Sequence, residues 1–599
     1  MRDIYSSARI VYIWLGKGNA KTDAAMDYLA KGGLPFRIST AKKGRDDIPT
    51  GNAVCWKLAW YIYSRTITSR RRPHYDGLMD VFDREWIRRI WTMQEALLAH
   101  KPVLMCGDKT ASWKGVVYSL ELFQFLSKKP AFITFPPKQQ QWWRLWNLQH
   151  ALILQGDLGG TAGITSDGIS SLQSEIQTHR HTIERAWRRF VFIFLLIAFL
   201  AVSLFLGGGL VFFFALFQHG RANATILIMT PAVPYLLLLA KVSGNQHATR
   251  CRPFSTTENI FFQIWERQST DCKDRYYGVQ ALIGKEEENR LTCHRSISQT
   301  RVYRRLSLAL LRWTQSLDIL LWIGCDKEDP SWVVDWAPEA RSWVLLLYYH
   351  TSTWWNRWDL TSEFIYGRLK GATPDSESNW KTDGYKTKLV VYGKMIGELC
   401  WRSERPPEAP PGFQSAVAED LSLSVMDFRK AIEGMEVSQI TQIMDQLSTI
   451  TVSYGPGDKD NIKFRKKWIQ SIYGSIEKGP EWGIQQLNGK NPLRLSKFLR
   501  WIMGPNPACG FHYEMVKYMA ENQRVLVRST GVYSGFGISC TCSRVGDKVA
   551  LISGVSMPLI LRKHERGYVV VGPAFFGGVM NGEFWKDNGK DALEELVLA

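Results

Sequence analysis

Residues Phe190 to Phe217, FVFIFLLIAFLAVSLFLGGGLVFFFALF, contain no Asp, Glu, Lys, Arg or His. A second apolar run, Ala222 to Ala240, follows after the short connection Gln218-His219-Gly220-Arg221. As a helix the first run reaches about 42 Å, beyond a hydrocarbon core of about 30 Å, so it can span with tilt or a break at Gly207-Gly208-Gly209. The second run is just long enough, and Pro231 and Pro234 would kink it, which membrane helices tolerate when neighbours re-satisfy the freed carbonyls. The pattern predicts a hairpin of two transmembrane helices, 190–217 and 222–240. Arg180, Arg185, Arg188 and Arg189 precede it and Lys241, Arg250 and Arg252 follow it, so both flanks are expected in the cytosol. Asn223-Ala224-Thr225 fits a glycosylation pattern but lies at the membrane edge. The competing reading is a pair of buried helices in a large soluble core. With no ionisable group inside either run, an anchor is expected rather than a transporter.

The chain has 599 residues, room for several domains. The reading divides it into an α/β domain (1–150), a linker and basic juxtamembrane segment (151–189), the hairpin (190–240), a mainly helical cytosolic region (241–520) and a β-rich module (521–599). The net charge of +19 suits nucleic acid or an anionic membrane surface. No nucleic-acid motif accompanies it, so lipid headgroups are the expected partner and nucleic acid is not. The start, MRDIYSSAR, is polar and unlike a cleavable signal, so the ten cysteines are expected as reduced thiols. Cys540-Thr541-Cys542 is the close pair among them, and no second pair stands at metal-ligand spacing, so no metal is expected.

In the N-terminal region Met1 to Ala8 reads as the end of a helix and Ile10 to Leu15 as a buried strand closed by Gly16. Asn19 to Ala30 and Ala53 to Thr66 read as helices, with a polar loop between. Asp80 to Ala99, DVFDREWIRRIWTMQEALLA, reads as one central helix. In it Phe82, Trp86, Ile90, Met93 and Leu97 recur at helical steps and form a core-facing stripe. Glu95 then falls opposite the stripe, near Arg84, Arg88 and Trp91. That face is either solvated, with favourable charge pairs, or turned to a ligand. A strand Pro102 to Cys106, Gly107 and a helix from Ser112 to Leu126 complete an α/β pattern.

Three stretches, MRDIYSSARIVYIWLG (Met1 to Gly16), REWIRRIWTMQE (Arg84 to Glu95) and Cys106-Gly107 followed by Trp113, resemble the fungal heterokaryon-incompatibility (HET) domain. Arg84, Trp86, Arg89, Trp91, Gln94 and Glu95 occupy pattern positions. The resemblance implies non-self recognition and regulated cell death in filamentous fungi, and a fold distantly similar to TIR domains, some of which cleave NAD. It makes Glu95 the candidate catalytic residue and Arg84, Arg88, Arg89, Trp91 and Gln94 its ligand-facing company; NAD enters as a possible substrate, with no cofactor evident. The family's earlier motifs, an ALSYxWG-like strand and a DAICINQ-like segment, do not precede Met1. A central strand is therefore expected to be missing, through an upstream start or a degenerate copy.

The resemblance continues beyond the apolar runs. Gln268 to Gly284 (QSTDCKDRYYGVQALIG) is similar to a segment that follows HET domains, and Pro330 to Ala337 (PSWVVDWA), with Asp335, to a PSWVPDWS-like one. Asp271, Asp274 and Arg275 read as a cap and salt bridge before a helix Tyr276 to Ile283, and Trp332 and Trp336 as packing anchors. Leu389 to Tyr392 reads as a strand turning at Gly393, Leu421 to Ser453 as amphipathic helix, and Val549 to Ser553, Leu559 to Arg562 and Tyr568 to Val571 as short strands. Gly156-Asp157-Leu158-Gly159-Gly160 lacks the Lys-Ser/Thr of a phosphate loop. Cys106 with His100 carries no evident nucleophile geometry.

Three functions stay open. The first is a membrane-anchored HET-family death or signalling protein acting with an unknown partner or by self-association. The second is a TIR-like NAD-cleaving enzyme with Glu95 stabilising a ribosyl cation. The third is a two-helix scaffold or pore former. The first is preferred.

Overall fold

The structure is a computed structural model that describes residues 2–30, 73–120, 141–152, 256–283, 297–323, 330–336, 371–403 and 524–599, a few positions inside those ranges excepted. The chain divides into two compact units, Met1–Arg250 and Cys251–Ala599.

In the first unit α1 (Arg2–Ser7) leads into β1 (Val11–Trp14), and Gly16, at φ +101°, turns the chain out of the strand. Asn19 then starts α2 (Ala20–Ala30). Its Oδ1 accepts from the Lys21 and Thr22 amides at 2.9 and 3.0 Å, and the Thr22 hydroxyl oxygen accepts from the Asn19 amide at 2.7 Å. Thr22, Ala25, Met26 and Leu29 are buried, the spacing of one helical face. That face meets α3 (Pro73–Phe82) at Gly77, where a Cβ would lie 2.0 Å from the Lys21 carbonyl oxygen, so only glycine allows the crossing. A 3-10 turn (Glu85–Arg88) and α4 (Thr92–Leu97) lead to β2 (Pro102–Cys106) and β3 (Lys109–Ser112). The strand order is β1-β2-β3, with β1 parallel and β3 antiparallel to β2.

The expected single helix Asp80 to Ala99 is corrected: it is three pieces, the end of α3, a 3-10 turn and α4. Arg84 and Arg89 both adopt extended backbone, with ψ of 146° and 137°, and each breaks the ladder. The stripe itself survives, since Phe82, Trp86, Ile90, Met93 and Leu97 are all buried. Burial of the large apolar groups from any backbone geometry, not a continuous helix, is what the spacing encoded. β1 also differs from the buried strand expected: Ile13 is fully buried, whereas Tyr12 and Trp14 are 60% and 53% exposed.

In the second unit α5 (Thr256–Glu266), α6 (Asp274–Gln280), α7 (Gln299–Thr314) and a 3-10 turn (Leu317–Trp322) precede β4 (Trp380–Thr382), β5 (Leu389–Arg402), β6 (Arg524–Thr530), β7 (Gly535–Cys540), β8 (Lys548–Ile552), β9 (Leu559–His564), β10 (Gly567–Pro573), β11 (Phe575–Phe576), α8 (Glu583–Asp587) and β12 (Glu594–Leu598). The 14-residue β5 does not turn at Gly393, as the sequence suggested, but runs on and pairs in succession with β12, β8 and β6. Irregularities after Met395 and Leu399 bend it. Gly393 lets the Leu551 carbonyl oxygen approach to where a Cβ would lie 2.4 Å away. Since β5 pairs with both β8 and β12, the strands β5-β8-β9-β10-β12 close on themselves around Val549, Leu551, Ile560 and Val571. The sheet thus takes β4 and β5 from the stretch 241–520 that was read as mainly helical.

The two-helix membrane hairpin is also corrected, and the integral-membrane location that rested on it is withdrawn. Among the described residues no helix is long and apolar enough to cross a membrane, and the architecture is mixed α/β with a large sheet. Residues 190–240 themselves lie outside the described residues, as do Ala53 to Thr66, Gly156 to Gly160 and Leu421 to Ser453.

Candidate functional site

The residues singled out around Arg84 to Glu95 surround the break between α3 and α4. Because the chain leaves helical geometry at Arg84 and again at Arg89, Trp86 and Glu95 do not fall on opposite faces. The Trp86 indole Nε1 donates to Glu95 Oε2 at 2.8 Å. Trp86 lies against Trp142 with ring centroids 5.3 Å apart, and Trp142 meets Phe82 edge-on at 5.5 Å and Trp113 at 6.2 Å. Their polar ends are satisfied. Trp142 Nε1 donates to the Phe82 carbonyl at 3.0 Å, Trp113 Nε1 to Gln149 Oε1 at 2.7 Å, and Gln149 Nε2 to the Ala96 carbonyl at 3.4 Å.

The arginines are tied to nearby carboxylates and carbonyls. Arg84 Nε lies 3.0 Å from Asp80 Oδ1 without pointing at it, while Nη2 donates to Asp80 Oδ2 and to the Lys17 carbonyl, both at 3.2 Å. This pins the loop after β1 to the end of α3. The positive φ of Gly16 favours glycine there, and a Cβ would stand 3.2 Å from Arg84 Nη1, the mobile end of a long side chain. Arg88 pairs with Asp83 across the turn. Arg89 is exposed, and its carbonyl accepts from the Thr92 hydroxyl at 2.6 Å at the start of α4. Gln94 is buried and Trp91 and Glu95 are half-buried. The Tyr5 hydroxyl on α1 is pushed above its ordinary pKa first by burial and then by the Glu95 charge, with Arg89 pulling the other way. Tyr5, Arg89 and Glu95 therefore share one electrostatic environment. The arrangement can hold a carboxylate beside an indole, a phenol and a guanidinium, with one carboxylate oxygen already bonded to Trp86.

The second group of sequence candidates belongs to the C-terminal unit and serves packing. Asp271 Oδ1 accepts from the Lys273 amide at 2.9 Å and the Asp271 carbonyl from the Asp274 amide at 3.0 Å, opening α6. Arg275 is buried, and its Nη1 donates to the Ile264 and Trp265 carbonyls at 2.6 and 3.0 Å, so it caps the end of α5. Trp332 and Trp336 are fully buried. Trp332 Nε1 donates to the Thr387 carbonyl at 3.0 Å, and Trp336 lies 6.2 Å from both Phe261 and Trp265. Asp335 is half-buried and contributes to the raised pKa of Tyr303, whose main cause is burial.

Sequence reasoning missed Tyr5, Asp80, Trp142 and Gln149. Asp80 stands four residues before Arg84, a detectable helical pairing; Trp142 and Gln149 gave no signal, being joined to the motif only through the fold. Among the described residues there is no group of His, Cys, Asp and Glu that could hold a metal ion. Cys106, Cys272, Cys400, Cys540 and Cys542 are free thiols.

A family model described as heterokaryon incompatibility protein (HET) matches residues 1–95, a span that includes β1 and ends at Glu95. Heterokaryon incompatibility protein 6, OR allele, of Neurospora crassa is 31% identical over 128 residues, covering 19% of this chain and 18% of that protein. The chain thus spans about a fifth of the length of this curated relative. No solved structure matches. The residues around Trp86 and Glu95 and the strand before them lie inside the family match, so the chain carries a HET domain, matched over residues 1–95.

Proposed function

We propose that this protein acts in fungal non-self recognition and triggers growth arrest or cell death through its HET domain. The observation that carries the reading is the coincidence of the family match with the Trp86–Glu95 bond, whose half-buried carboxylate acts on Tyr5 together with Arg89. The relative from Neurospora crassa, described as a heterokaryon incompatibility protein, supports the same role. Glu95 acts first by fixing the elbow, since its bond to Trp86 joins the 3-10 turn to α4.

The test is forced expression of the full chain in a filamentous fungus, with colony growth and dye uptake as readouts. Wild type should arrest growth and Glu95→Gln, which keeps an acceptor for Trp86 but loses the charge, should not. Normal growth on expressing soluble, folded wild type would refute the proposal. Cellular NAD measured in the same cultures separates an NAD-consuming route, in which NAD falls before dye uptake, from signalling through a partner.

A further inference from the structure

The close pair of cysteines in the C-terminal unit stands on a single turn. β7 ends at Cys540, and the Ser543 amide donates to the Cys540 carbonyl at 3.1 Å, so Cys540 and Cys542 are the first and third residues of a β-turn. Two residues apart in such a turn, their Cα atoms fall within the roughly 4.4–6.8 Å that a disulfide spans. Both side chains turn to one apolar cluster: Cys540 is part of it and Cys542 packs against it. Both are thiols in this structure.

Arginines hold the backbone of this turn. Arg402 Nη1 donates to the Thr541 and Ser543 carbonyls, both at 2.7 Å, and Arg562 Nη2 to the Cys542 carbonyl at 2.8 Å. With the Ser543 amide on Cys540, all four carbonyls from Cys540 to Ser543 are bonded. The two sulfurs are thus kept in one neighbourhood before any reaction.

The same arginines set the charge. Arg402, Arg544 and Arg562 stand on or beside the turn with one buried carboxylate, Asp547, which accepts from Arg562 Nε and Nη2 and from the Arg544 amide. The neighbouring Glu398 is paired with Lys548. Arg562 is held above its ordinary pKa by its hydrogen bond to Asp547 first and then, against the effect of burial, by the negative charge of Asp547 and of the two thiolates. By reciprocity the guanidinium favours the thiolate form, which is the nucleophile. The two thiols differ in access: Cys542 is half-buried, whereas Cys540 is 3% exposed.

We infer that Cys540 and Cys542 form an oxidation site, a dithiol that hydrogen peroxide converts to a disulfide. The Cys542 thiolate attacks one peroxide oxygen. The O–O bond breaks, the other oxygen leaves as hydroxide and takes up a proton to become water, and Cys542 becomes a sulfenic acid. The Cys540 sulfur then attacks the Cys542 sulfur; the S–S bond forms as the S–O bond breaks, and the hydroxyl leaves with the Cys540 proton as water. Two electrons pass from the sulfurs to the peroxide. The ring encloses three residues, so it restrains the unfolded chain little and suits a reversible couple rather than a structural staple.

The test is exposure of the folded full chain to hydrogen peroxide, followed by alkylation of the remaining thiols and mass spectrometry of the peptide that carries both cysteines. That peptide should be linked within itself and return to the dithiol with dithiothreitol. Cys540→Ser should leave Cys542 as a sulfenic acid, captured by dimedone at least tenfold faster than Cys400, although Cys400 is the more exposed. Cys542→Ser should leave Cys540 reduced in the folded chain. No link under excess peroxide, a link that forms only in urea, or one from Cys542 to a different cysteine would overturn the proposal. Zinc retained by the wild type and lost with Cys542→Ser, while the peptide stays unlinked under peroxide, would overturn it in favour of a metal site.

Discussion

The two sheets of this chain solve the edge problem differently. In the C-terminal unit five strands close on themselves, and the strands pairing outside that ring end in β4 and β11, of three and two residues. Short edge strands recruit little. Among the described residues the sheet of the N-terminal unit has three strands, and β1, at its edge, leaves Tyr12 and Trp14 60% and 53% exposed. The difference is one of support: a closed sheet is held by its own ladder and core, whereas the three described strands of the N-terminal unit depend on the helices and tryptophans packed on one face.

Stability should follow the same division. The largest effect is expected in the N-terminal unit, where a cluster of tryptophans stands in for an extensive sheet. Trp86→Ala opens a cavity against Trp142 and strips Glu95 of its donor, so it should cost about 3–5 kcal/mol. Calorimetry on the full chain should show the lower transition shifted and the other in place; a shift in both would dissolve the comparison.

In the closed sheet the corresponding weak point is polar. Asp547 is buried and accepts from Arg562 Nε at 2.8 Å and Nη2 at 2.9 Å, and from the Arg544 amide at 2.7 Å. Asp547→Ala leaves a part-exposed guanidinium with no carboxylate, held only by the Cys542 carbonyl, and frees the Arg544 amide, and should cost about 2–3 kcal/mol in urea unfolding.

A smaller effect is expected at the β4–β5 turn, where burial pushes the Asp383 carboxyl up but the Lys388 and Thr387 amides and the Thr387 hydroxyl outweigh it, leaving its pKa below the ordinary 3.8. The folded chain therefore takes up this proton at lower pH than the unfolded chain. The stabilisation is complete above 3.8 and disappears as pH falls through the folded value. Asp383→Asn should flatten stability against pH in that window and lower it near neutrality by no more than about 1 kcal/mol.

The smallest effect sharpens the contrast most. Trp14→Thr on the bare face should change stability by no more than about 0.5 kcal/mol, since the ring is exposed and Thr suits a strand. A large loss would mean that the face is packed in the folded protein.

Much of the local structure was legible. The strand ending at Gly16, the helix within Asn19 to Ala30, the strand Pro102 to Cys106 and the short strands after Val549 stand where hydrophobic spacing and turn residues put them. So did the burial of Phe82, Trp86, Ile90, Met93 and Leu97. The geometry between them was not legible: periodicity of three and four is equally satisfied by a broken chain once Arg84 and Arg89 turn extended, and this brought Glu95 to Trp86 instead of away from it. Arg275, read as part of a salt bridge at its own helix, instead closes the preceding one, a contact that sequence distance does not announce. The apolar runs at 190–240 suggested a membrane hairpin on composition alone, and no described helix carries that architecture.

By itself the sequence determined the burial of the stripe from Phe82 to Leu97, several of the chain's turns and, through its motifs, the likeness to the HET domain that residues 1–95 match. Those are properties of short windows: hydrophobic transfer, glycine and asparagine backbone preference, and motif identity all act over a few residues. Only the tertiary structure decided that β5 would bend to close a ring, that Trp142 would stand behind Trp86, and that Glu95 would meet the Trp86 indole. Each depends on pairings between residues distant in the chain, whose free energy appears only once the chain has brought them together.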